Sequence, residues 1–186
     1  EHGHRCTLNS FNLELLDLTW FREGVDLRER LRLQAAARRD PKLIEASQAY
    51  ERFLALGGDV RMEDREGDLF MDYLARGVPL LAGVSSTYLY QCARELPDCT
   101  YDDLHGRPQG HFVVIAGYRK KKSATEHELL VKDPWHAFDR DGRPRYWLPL
   151  RRFVHAMLLG VLTYDGTLLA IERADTTAEK ADEDQG

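Results

Sequence analysis

An imidazole and a carboxylate bracket the most strongly β-forming stretch of the sequence. His111 stands at the head of GHFVVIAGY and Asp133 at the foot of ELLVKDP. A carboxylate on one ring nitrogen of a histidine fixes its tautomer and stabilises its imidazolium, which leaves the other nitrogen to act as a base. General base catalysis is therefore the chemistry this pair would do. The same residues also fit a half-buried histidine capped by a structural aspartate at a strand end.

A base of this kind serves a nucleophile, and the sequence offers few. Cys6, Cys92 and Cys99 are odd in number and form no CxxC pair, which points to a reducing, cytoplasmic setting with free thiols rather than a disulfide framework. Free cysteines are most often small buried hydrophobes. Ser85 and Ser86 lack the nucleophile-elbow pattern of serine hydrolases. His2 and His4 have no further donors at ligand spacing, so neither a metal nor another cofactor is expected.

The elements that must position the pair follow from local pattern. The run 111–118 is centred on Val113, Val114 and Ile115, too β-branched to prefer a helix, and residues 120–128 are polar enough for an exposed turn. Folding back about Lys122 sets His111 and Asp133 equally far from the turn, directly opposed, with Cβ atoms about 5 Å apart. Gly110 before the histidine suits a close backbone approach, and Pro134 after the aspartate suits a strand stop.

Around this hairpin, residues 1–12 read as extended and 13–21 as a loop or short helix pinned by Trp20 and Phe21. Asp26 precedes the helix former LRERLRLQAAARR, and Asp40-Pro41 caps a second helix that runs to Gly57-Gly58. Leu43, Ala46, Tyr50, Phe53 and Leu54 line one face of that second helix as core. A short strand at 59–63, a helix at 66–76, a buried strand at 79–84 and a polar loop at 96–109 lead to His111. Beyond Asp133 come a loop at 135–145, an amphipathic helix at 149–159, and a tight hairpin of VLTY and LLAIE about Asp165-Gly166. Helices followed by an antiparallel sheet give an α+β layout.

At 186 residues the chain fits one domain with a sizeable core, and 43% hydrophobic content is that of a globular protein. The expected bounds are residues 1–172 for the domain and 173–186 for a charged, disordered tail. A net charge of -5 argues against a nucleic-acid partner, and no apolar run approaches the ~20 residues of a membrane span. Nothing in the sequence specifies an oligomeric state.

GHFVVIAGY followed by VKDPW resembles the histidine and aspartate motifs of papain-like cysteine peptidases of the peptidase C-39-like family, relatives of the bacteriocin leader peptidases. FNLELLDLTWF, GVPLLAGVSSTYLY, PQGHFVVIAGY and LLGVLTYDGTLLAI are similar to blocks of one bacterial branch of it, so the resemblance covers nearly all of the chain outside the tail. It implies a papain-like fold, with His111 as general base and Asp133 as its orienting partner, acting on a peptide or amide substrate. It also implies a nucleophilic Cys followed by Gly-Pro at the head of a helix, with a Gln shortly before it, and this sequence contains neither. The expectation is a domain incomplete at its amino terminus, without its catalytic helix and inactive alone. Hydrolysis, acyl transfer on the same residues, and peptide or partner binding without turnover all stay open. Residues 84–90 and 135–138 adjoin the motifs, so Gly110, Ser85, Tyr88 and Trp135 are the expected substrate contacts, with Phe138 as a further wall. The tyrosines and Trp135 also fit simple core or rim packing.

Overall fold

The computed structural model describes residues 3–62, 68–121, 127–135, 144–163 and 166–173. Its strands are β1 (His4–Ser10), β2 (Asp59–Arg61), β3 (Leu80–Ser85), β4 (Gly110–Arg119), β5 (Glu128–Lys132), β6 (Arg145–Pro149) and β7 (Thr167–Arg173). Its helices are α1 (Leu27–Ala37), α2 (Pro41–Ala55), α3 (Asp68–Ala75), α4 (Ser86–Tyr90) and α5 (Leu150–Leu159). The fold is α+β, with these helices packed on one sheet of order β2-β1-β7-β3-β4-β5-β6, an arrangement compatible with a papain-like fold. The sheet is mixed and not purely antiparallel as expected, because β2 runs parallel to β1.

Helix starts follow the sequence closely. Asp26 accepts a hydrogen bond from the Glu29 amide at 3.2 Å to begin α1. Asp40 does the same for Lys42 at 2.9 Å, with Pro41 at the first helical position of α2. Gly77 takes a left-handed φ of +76° just after α3, a conformation that costs a residue with a side chain.

Period-two alternation along the strands sorts their side chains into two layers. Leu80, Ala82, Val84, Val113, Ile115, Leu129, Val131, Leu168 and Ala170 form the main core with Phe153, Ala156 and Met157 of α5 and Phe70 and Tyr73 of α3. Leu8 lies between the buried Thr7 and Asn9 and points the other way. It joins Leu15, Leu16, Leu31, Leu43 and Val60 in a second cluster beneath α1 and α2.

Two elements depart from the sequence reading. RYWLP forms the edge strand β6, where the sequence reading ends a loop at Arg145, leaves 146–148 unassigned and begins a helix at Pro149. VLTY and LLAIE do not form a hairpin. Gly160 stays right-handed at φ -61°, so α5 runs on into a 3-10 turn at Gly160–Thr163. β7 then crosses the sheet to pair with β1 on one side and β3 on the other. A Cβ on Gly160 would lie 3.2 Å from the Val84 backbone, so glycine lets this turn sit directly on β3. His2, Lys122, Phe138, Asp165 and residues 174–186 lie outside the described residues. No helix among the described residues is long and apolar enough to cross a membrane.

Phe153 is fully buried and meets Phe70 edge-to-face with centroids 5.4 Å apart. Phe153→Ala should lower stability by about 3–5 kcal/mol in chemical denaturation, through lost transfer energy and the cavity left behind. A loss below about 1 kcal/mol would mean that α5 does not close this core.

Candidate active site

Two strand ends and a helix end converge beside β3. β4 pairs with β3 so that His111 lies opposite Val84 and Gly110 opposite Ser85. β4 and β5 pair as Val114 with Lys132 and Ile115 with Val131, and this register extends to Val113 opposite Asp133. His111 is therefore not directly opposed to Asp133 as the simple hairpin predicted. It is the diagonal neighbour, two residues further along the same face.

A bulge makes this possible. Nearer the turn, Gly117 pairs with Leu130 and Tyr118 with Leu129, and the extra residue Ala116 shifts the register by one. Without that shift Val114 would oppose Asp133, and the carboxylate would point to the other side of the sheet from His111.

The contact is direct. His111 Nε2 lies 2.9 Å from Asp133 Oδ1. The Asp133 side chain has no solvent exposure, whereas that of His111 keeps 19%. Asp133 Oδ1 also accepts the Trp135 amide at 3.0 Å, and Oδ2 accepts the hydroxyls of Tyr90 at 2.8 Å and Tyr146 at 2.9 Å. The Asp133 amide donates to the Pro144 carbonyl at 2.9 Å, which pins the backbone beyond β5. Burial alone would push the carboxyl's pKa up. The hydrogen bonds from His111, Trp135, Tyr90 and Tyr146 outweigh it and hold Asp133 below the usual carboxylate range. Both tyrosines are pushed far above an ordinary phenol, first by burial and then by their bonds to that carboxylate.

An ionised Asp133 accepts only, so the proton in the His111 contact sits on Nε2. Nδ1 is left as the basic nitrogen of a ring that still reaches solvent.

The other expected residues have distinct surroundings. Gly110 is exposed at the head of β4. Trp135 gives its amide to Asp133 and is 67% exposed. Ser85 is buried and caps α4, its hydroxyl accepting the Tyr88 amide at 3.4 Å. The Tyr88 hydroxyl meets His155 Nδ1 of α5 at 3.2 Å. The sequence offers Tyr90 as a wall or as core or rim packing and assigns no role to Tyr146. Its signal was the strand β6, where Tyr146 opposes Val131 and so shares the face of Asp133.

None of the three cysteines is hydrogen-bonded to His111. Cys6 lies on β1, with β7 and β3 between it and β4. Cys92 directs its thiol to the Thr87 carbonyl at 3.9 Å, and Cys99 is exposed in the loop before β4. Among the described residues no group of three His, Cys, Asp or Glu side chains is placed to hold a metal ion.

The lowered pKa of Asp133 has a consequence for stability. A carboxyl depressed in the folded state stabilises above its unfolded value and loses that contribution as pH falls through the folded one. Asp133→Asn should cost about 2–4 kcal/mol at neutral pH, and the gap to wild type should shrink below about pH 4. A gap independent of pH in urea titrations would show that the charge of Asp133 contributes nothing.

No curated protein and no solved structure matches the chain. The family model described as the Peptidase_C39 like family matches residues 36–155, well over half of the sequence, from the end of α1 into α5. That span contains His111, Asp133, Tyr90 and Tyr146 together, and the chain belongs to the Peptidase_C39 like family.

Proposed function

We propose that His111 and Asp133 are the base and the orienting group of a thiol-dependent site that cleaves peptide or amide bonds. The observation that carries this reading is the 2.9 Å contact between Nε2 and a fully buried carboxylate, in a peptidase-like chain. In this reading Nδ1 takes the proton of a thiol as its sulfur adds to the substrate carbonyl. The imidazolium, stabilised by Asp133, then passes that proton to the leaving nitrogen as the C–N bond breaks. A water attacks the resulting thioester, His111 removes its proton, and the thiol is restored with release of a carboxylic acid. Replacing the water by another acceptor gives acyl transfer on the same residues.

None of Cys6, Cys92 and Cys99 is hydrogen-bonded to His111, and the attacking thiol in this proposal is none of them. Gly110 and the exposed Trp135 flank the pair in sequence and serve as substrate contacts. Ser85 and Tyr88 are engaged by the α4 cap and by His155, and in this proposal they support the wall behind the site.

The placement of the three cysteines favours a second reading, in which the site binds a peptide or protein partner without turnover. The two readings separate in the protein as produced from its gene. The first expects peptide or amide hydrolysis sensitive to thiol alkylation, reduced roughly 10²–10⁴-fold by His111→Ala with the fold retained. Asp133→Asn should lower kcat with little change in KM, since it disturbs the tautomer and not the substrate contacts. Full turnover in the His111→Ala protein would contradict the assignment. Peptide binding with no alkylation-sensitive turnover in wild type would favour the second reading.

A further inference from the structure

The carboxylate of Asp133 offers about four acceptor positions, two on each oxygen. His111 Nε2 and the Trp135 amide fill those of Oδ1, and the hydroxyls of Tyr90 and Tyr146 fill those of Oδ2. Asp133 is 1% exposed, so water has no ready access to replace a lost donor. The two tyrosines come from different elements. Tyr90 is the last residue of α4, just before Gln91 turns left-handed at φ +54°. Tyr146 lies on the edge strand β6. The Tyr90 ring also lies against His111, with centroids 6.0 Å apart.

We propose that Tyr90 and Tyr146 are positioning residues that clamp Oδ2 of Asp133, so that the carboxylate stays ionised and presents Oδ1 alone to His111. The proposal rests on the reading of His111 and Asp133 as base and orienting group. Its chemical logic is the choice of neutral donors. An arginine or lysine on Oδ2 would also hold the carboxylate, but it would cancel the charge that an imidazolium at His111 needs. A phenol donates a hydrogen bond and leaves that charge in place. Two bonds on one oxygen also stop rotation about the Cβ–Cγ bond, which would otherwise let either oxygen face the ring. Among the described residues, the groups that face the cluster are His111 from β4, Tyr90 from α4 with Cys92 beyond it, and Tyr146 from β6 with Arg152 of α5 beyond it.

The test follows the ¹³Cγ resonance of Asp133 through an acid titration in four proteins: wild type, Tyr90→Phe/Tyr146→Phe, His111→Ala and Tyr88→Phe. The double variant should raise the proton affinity of Asp133 roughly tenfold, while Tyr88→Phe, which removes a neighbouring phenol that does not touch Asp133, should leave it unchanged. Wild-type titration in the double variant would overturn the clamp. His111→Ala separates the two ideas. If it raises the affinity and the double variant does not, the clamp fails and the His111–Asp133 pair stands. If the double variant alone raises it, the tyrosines hold the charge but the pair fails, and their positioning role fails with it. Should the double variant not fold, the wild-type tyrosines decide. Tyr90 and Tyr146 should remain protonated by ¹³Cζ shift at about pH 11, beyond the ordinary phenol value of about 10. Ionisation of both near that ordinary value would overturn the proposal.

Discussion

A buried negative charge is the constraint on which the site depends. Asp133 has no exposed side-chain surface, and an isolated carboxylate in such a place would cost several kcal/mol or take up a proton. It stays ionised because four donors converge on it: a ring nitrogen from β4, an amide from the segment after β5, and phenols from α4 and β6. Each donor sits on a different part of the chain, so the charge is satisfied only when all of those parts are in place. The site and the fold around it are therefore one cooperative unit.

The sheet supplies the placement. His111 and Asp133 share the face that carries Val84, Val113 and Val131, and α5 seals the core beneath that face with Phe153, Ala156 and Met157. The pair thus stands where the packed core gives way to solvent. The carboxylate is on the dry side, and the imidazole keeps a partly open edge. Ala116 is the small device that makes this geometry possible, because one extra residue in β4 sets which face Asp133 occupies.

Much of this was legible in the sequence because it is local. The caps at Asp26 and Asp40, the buried run of β3 and the β-branched centre of β4 all act over a few residues. The pairing of His111 with Asp133 was also legible, since strands fix side-chain direction with a period of two and a register off by two keeps the face. What the sequence did not reveal is decided by distant partners. Asp165-Gly166 reads as tight-turn chemistry, but β7 gains more by pairing with both β1 and β3 than by folding back on its neighbour. Tyr146 is an ordinary strand tyrosine until β6 is laid beside β5. Tyr90 differs from Tyr88 only in where a short helix points it.

In the proposed site Asp133 fixes the tautomer of His111 and leaves Nδ1 to serve as the base. ¹⁵N-labelled imidazole spectra of the wild-type chain, recorded with His111 neutral, test it most directly. The expected result is a proton on Nε2 and a bare Nδ1, and an Asp133→Asn protein that loses this selection. A proton on Nδ1 in wild type, or a tautomer unchanged by Asp133→Asn, would contradict it.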